Sequence, residues 1–238
     1  MLASKAAMER LGRAIAFVAT VMVVGSFGWM LLTSSGSSGG LLGFETPSIA
    51  LEILEEPNEV AAVLGGEDGG ERAALRHAVD VDFAVIGAYW LLFVLLAAVL
   101  GRRMLPGARL KAVAVVVAVT MAAVLDVVEN FRLYRVLAAP GDPHVLRELI
   151  EPARRAAVGK WAALFTATAL VSPVFYGFDD EVLYGFGLLF VCTGLVGLAG
   201  VAWYPPAVEW AFGLLGVSLL VVAGLFLWEP DHLVEDSA

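Results

Sequence analysis

The chain is short of what a soluble protein is made from. Of its 238 residues only 16% are charged and three are histidine, against about 25% charged residues in an ordinary soluble domain. A water-facing surface cannot be assembled from so few. There is one cysteine, Cys192, inside an apolar run. An intramolecular disulfide is therefore excluded, the redox compartment is unreadable, and the thiol reads as buried and inert. HExxH, paired CxxC and a spaced Ser/His/Asp set are all missing, so zinc-protease, zinc-ribbon and triad chemistry have nothing to rest on. The sequence also lacks a basic stripe for nucleic acid and a phosphate-cradling loop. Gly185 and Gly187 form a GxG inside an apolar run, where no soluble strand precedes it. No cofactor, metal or nucleic-acid partner is expected.

What is present instead is hydrocarbon. The chain is 60% hydrophobic with mean hydropathy +0.83. Its uncharged runs are 14–44, 83–101, 112–125, 161–178, 182–208 and 210–228. A helix needs about 20 apolar residues to cross about 30 Å of bilayer core. These runs predict an all-α polytopic transmembrane bundle of about six spans, forming one membrane domain over 1–238. The expected spans are about 13–33, 82–100, 111–131, 158–176, 182–202 and 208–228. Lys5, Arg10 and Arg13 precede the first span as they would a signal peptide. Its length and the lack of an A-x-A site favour an uncleaved helix over a cleaved leader.

Between the first two spans lies an acidic segment, 34–81, opened by the Ser/Gly stretch Thr33 to Gly40. Thr46-Pro47 reads as an N-cap with proline at the first helical position. Ile49, Leu51, Ile53 and Leu54 alternate with Glu52, Glu55 and Glu56, which predicts a short amphipathic helix lying at the membrane surface until Pro57. Glu71–Val81 leads as helix into span two. A second outer segment, 132–157, holds a loop at Pro140 to Pro143. A polar helix is expected to start at Asp142-Pro143 and break near Pro152. Lys/Arg flanks place Lys5, Arg10, Arg13, Arg102, Arg103, Arg109 and Lys111 on one side. That side reads as cytoplasmic, with both termini inside and the protein in the plasma or inner membrane. Trp203, Tyr204 and Trp210 bracket the last turn as interfacial aromatics do. Gly194, Gly197, Gly200, Gly213 and Gly216 read as bundle packing. His77, His144, His232 and the Asp179-Asp180-Glu181 turn read as solvated.

Span three is the informative one. Its uncharged run, 112–125, is 14 residues long. At 1.5 Å per residue, Asp126 stands roughly 22 Å from Lys111, about 8 Å short of the far edge of the hydrocarbon. Asp126, Glu129 and Asn130 share one helix face, which Tyr134 extends. Facing lipid, each acid would cost about 2.5 kcal/mol or more, so they must face the bundle, a wet cavity or a partner. Asp80 and Asp82 end span two at the same depth, with Tyr89 two turns below, and Lys160 beside Trp161 opens span four. The candidate polar cluster is therefore Asp82, Tyr89, Asp126, Glu129, Asn130 and Lys160.

The order of these residues resembles an uncharacterised family of prokaryotic multi-pass membrane proteins. The matching stretches are Leu51-Glu52 to Leu64, Asp82 to Tyr89, Asp126-Val127-Val128-Glu129-Asn130 and Lys160-Trp161. They cover about 48–175, and spans five and six lie outside. The resemblance implies that Asp82, Asp126, Glu129, Asn130 and Lys160 belong together, and it implies no reaction. Three functions compete. The first is a non-enzymatic membrane protein whose cluster is a structural ion-pair network and whose outer segments meet a protein or lipid partner. The second is a small transporter or ion/proton pathway using Asp126 and Glu129. The third is a membrane-embedded lipid-modifying enzyme, with an acid as base and Lys160 holding a phosphate. The first leads, because no nucleophile or complete acid–base set is identifiable.

Overall fold

The computed structural model describes residues 10–22, 24–25, 46–65, 70–102, 106–139, 142–176 and 181–228. Among these residues every regular element is a helix, joined by short turns, and there is no strand. Helix α1 covers 10–22. It is followed by α2 (Pro47–Ile53), α3 (Pro57–Leu64), α4 (Gly70–Leu100) and α5 (Ala108–Ala138). Then come α6 (Pro143–Val171), α7 (Glu181–Trp203) and α8 (Pro206–Trp228). Five of them, α4 to α8, are long and apolar enough to cross a membrane. The expected span 13–33 is helical where α1 is described, and the rest of it, apart from residues 24 and 25, lies outside the described residues. So do the Ser/Gly stretch, Asp179-Asp180 and His232.

The long helices pack as successive neighbours, α4 on α5, α5 on α6, α6 on α7 and α7 on α8, with the α5–α6 seam the most extensive. Sequence dictates this seam. On α5, Ala112, Val115, Val119, Ala122, Asp126, Glu129 and Leu133 recur at helical spacing and are buried. Leu110, Val113, Val117, Met121, Val124 and Phe131 recur on the opposite face and are exposed, the face a bilayer would cover. The small residue Gly159 lets α6 approach, since a Cβ there would lie 2.9 Å from a methyl of Leu125. On α7, a Cβ at Gly194 would meet the Phe165 carbonyl oxygen at 2.7 Å, and one at Gly197 the Phe165 ring at 2.3 Å. Gly200 stands equally close to the backbone of Val208 at the α7–α8 turn. The packing reading thus holds for these three. It fails for Gly213 and Gly216, which face open space on α8.

Four other expectations are corrected. First, α2 does not lie on a surface: six of its seven residues are buried, and it packs against α6 and α4. Thr46 is its N-cap, but the hydroxyl bonds Glu209 of α8 rather than the helix terminus. Second, the expected loop and broken helix over 132–157 are largely regular helix, with α5 running to Ala138 and α6 starting at Pro143. Asp142 caps α6 through the His144 N–H at 2.8 Å. Third, Pro152 sits inside α6 without ending it. Proline removes the helical hydrogen bond to the Glu148 carbonyl, yet α6 stays continuous along its seam with α5, from which Arg132 donates to the Pro152 carbonyl. Fourth, Cys192 is exposed on α7 rather than buried, because α7 is apolar on every side and hydrophobicity alone does not mark its inner face.

Candidate functional site: a carboxylate–lysine centre

Lys160 is the hub. It projects from α6 and is 4% exposed. Its Nζ donates to Glu52 Oε2 at 2.9 Å. It also stands 3.0 Å from Asp126 Oδ1 and 2.7 Å from Glu129 Oε2. Those two approaches are ion pairs held by charge, without hydrogen-bond alignment. The ammonium also lies 4.9 Å from the ring centroid of Trp161, within cation–π range. It occupies the position between the acids that a bound cation would otherwise take.

The carboxylates reach this point from three helices. Asp126 and Glu129 are one turn apart on the inner face of α5, with Asn130 beside them, and all three are buried. Tyr89 of α4 donates to Asp126 Oδ2 at 3.0 Å. Asn130 Nδ2 donates to Asp82 Oδ2 at 2.8 Å, tying α5 to α4. The structure thus brings together Asp82, Tyr89, Asp126, Glu129, Asn130 and Lys160. It leaves out Asp80 and Tyr134, which bond each other at an exposed position. His77 and His144 are exposed, as expected.

Glu52 is the member that the sequence did not reveal. It comes from α2, where alternation with apolar residues suggested a solvated face. It is instead buried, accepting from both Lys160 and the Trp161 indole N–H, each at 2.9 Å. The available signal was that Glu52 is the one acid within an otherwise uncharged seven-residue helix, whereas Glu55 and Glu56 fall in the exposed break after it. Burial pushes the Glu52 carboxyl above its ordinary value of 4.5, against the pull of the Lys160 ammonium, and the neighbouring Asp126 pushes it further. Trp161 in turn stacks on Phe165 and meets Phe212 edge-on, both at 5.7 Å between ring centroids.

Beside the hub lies a cavity of about 50 Å³, enough for more than one water molecule. Glu52, Asp82, Tyr89, Asp126, Lys160 and Trp161 form its polar wall, and side chains such as Ile49, Val85 and Phe212 its apolar one. The charge balance is uneven. Glu52, Asp82, Asp126 and Glu129 are four acids around one ammonium, a net −3 if all were ionised. Glu129 Oε1 is buried with no hydrogen-bond partner among the described residues. A buried carboxylate in that position is costly unless neutralised or paired, so the centre must hold protons or take up positive charge. Among the described residues no group of three or more His, Cys, Asp or Glu is arranged to hold a metal ion.

Compared with protein-family models, curated proteins and solved structures, the chain matches none.

Proposed function

We propose that this is a multi-pass membrane protein whose buried carboxylate–lysine centre binds and releases protons, as the core of a small proton pathway or proton-coupled transporter. It acts in the plasma or inner membrane with both termini cytoplasmic. One observation carries the reading: four acids share one lysine in the middle of a helix bundle, beside a cavity large enough for water. Ionisable groups within membrane helices ordinarily mark ion or proton routes. An unequal set such as this one has more carboxylates than its lysine can balance, and bound protons supply the missing positive charge.

The test is proton flux into proteoliposomes under an imposed membrane potential, read with an entrapped pH dye. The parent protein should exceed protein-free vesicles, and Glu129→Gln or Asp126→Asn should bring flux down to their level while the protein stays folded. Parent flux no greater than that of empty vesicles rejects the reading, as does full flux in both variants.

The structural ion-pair reading stays second, supported by the satisfaction of Lys160 by three carboxylates and an aromatic ring. It expects the same substitutions to unfold the protein rather than silence it. The enzymatic reading is weaker, because among the described residues no serine, threonine, cysteine or histidine lines the cavity to act as nucleophile or shuttle.

A further inference from the structure

We infer that α2 is a removable stopper, and that access to the centre is controlled by its docking. The inference rests on the proposed proton-exchanging centre for its purpose, but not for its test. Glu52 belongs to a helix of seven residues, whereas the other groups on Lys160 come from helices of about thirty. A helix that short is not stable alone, since isolated helices under about 12–15 residues are marginal in water. Its position therefore depends on what fastens it.

The apolar side chains Ile49, Leu51 and Ile53 of α2 are buried in the core, and its polar fastenings lie in two layers. The inner one is Glu52 itself, held by Lys160 and Trp161. The outer one is polar and reachable from water. Arg154 of α6 donates to the Ile53 carbonyl at the C-terminal end of α2 at 3.2 Å and pairs with Glu55 in the break that follows. Their side chains are 28% and 64% exposed. At the other end Thr46 bonds Glu209 of α8. Between these clamps α2 presents Ile49 and Glu52 to the cavity as one of its walls. Lifting α2 would remove that wall, take a carboxylate from Lys160 and open the polar side of the cavity. No long helix need move. Pro47 at one end and Pro57, the first residue of α3, at the other confine the element that moves to a single short unit.

The test is the reaction of a cysteine in the cavity wall with a charged, membrane-impermeant methanethiosulfonate, using the full chain in lipid nanodiscs. The parent carries Cys192→Ser, to silence the exposed native thiol, and Val85→Cys, on the α4 side of the cavity. At about 50 Å³ the cavity admits water but not the reagent, so faster labelling reports its widening. Glu55→Ala with Arg154→Ala removes the outer clamp and should speed labelling about tenfold, the equivalent of about 1.4 kcal/mol. Thr46→Cys with Glu209→Cys, oxidised to a disulfide, should lock α2 to α8 and suppress labelling below the parent rate, and reduction should restore it. Equal rates in the parent and the clamp variant overturn the stopper, and so does unimpeded labelling of the locked protein. The locked arm decides alone if the clamp variant does not fold. Labelling that follows α2 in a protein without proton flux would retain the stopper and reject the proton-exchanging centre.

Discussion

Deleting the hub cation tests the whole centre. Lys160→Met keeps most of the aliphatic stem and removes an ammonium that lies within 3.0 Å of three carboxylate oxygens. Removing one partner of a buried ion pair costs about 3–5 kcal/mol, because the other charge is left uncompensated. Proton uptake by the acids limits the loss to that range rather than multiplying it by three. In a protein of this length each kcal/mol moves the melting temperature by about 2–4 °C, so a fall on the order of 6–20 °C is expected. Glu129→Gln should do the opposite. Neutralising one of four acids brings the set from −3 to −2 if all are ionised, and it leaves Lys160 with Glu52 and Asp126. Stability should hold or rise. Both are read as the fraction of monodisperse protein surviving heating in detergent, followed by size-exclusion chromatography. A Lys160→Met protein melting less than about 2 °C below the parent, under 1 kcal/mol, would refute the hub. If Glu129→Gln fell as far as Lys160→Met, the excess of acid would be illusory and a balanced structural network would be the better account.

Other expectations follow from single groups. Burial raises the Glu52 carboxyl above 4.5, so the folded state holds its proton more tightly than the unfolded state. That contribution is complete below pH 4.5 and is lost as pH rises through the folded-state value. Melting temperature should therefore decline as pH climbs out of the ordinary carboxylate range, and Glu52→Gln should flatten the decline; identical slopes would contradict the assignment. Gly197→Ala would force a methyl to within 2.3 Å of the Phe165 ring and should cost about 1–3 kcal/mol as overpacking. Gly216→Ala enters open space and should be neutral or stabilising, as alanine favours helix by up to about 1 kcal/mol. Thermal melts of the pair check both, and equal loss would mean that α7 and α8 are packed differently.

The parts of this architecture that could be read from sequence were those where energy left one choice. A 14-residue apolar run cannot cross a bilayer without Asp126 and Glu129, and two acids three residues apart cannot both avoid lipid unless their face turns inward. Lys160 followed by depth. Glu52 did not, because a helix of seven residues has fewer than two turns; its periodicity is too brief to separate a buried face from a solvated one, and Glu55 and Glu56 nearby made the solvated reading the simpler one. Pro152 looked like a break because local propensity takes no account of the neighbouring α5, which packs along α6 and whose Arg132 donates to the Pro152 carbonyl. Cys192 looked buried because its whole helix is apolar, and in a bilayer an apolar side chain is as content outside a bundle as within it.

The same contrast separates two kinds of bonding in the fold. The long helices meet in chain order, so each seam joins neighbours and needs only apolar faces and small residues to close. The ties of α2 are different. Glu52 reaches Lys160 across 108 positions of sequence, and Thr46 reaches Glu209 across 163. Each is a polar contact, and each ends on an element that is already held by its own hairpin partners. Ties of this sort fix α2 without being required for the bundle to form, so the energy that seats Glu52 against Lys160 is separable from the energy that folds the protein. A charge centre lacking one carboxylate, and a bundle otherwise intact, is then a state reached by breaking these ties and uncovering the apolar residues Ile49, Leu51 and Ile53 of α2. Deleting 47–53 should test that separation directly. The remaining chain should still purify as a folded, monodisperse bundle, and its collapse into aggregate would mean that the long helices cannot hold together without the apolar residues α2 buries in the core.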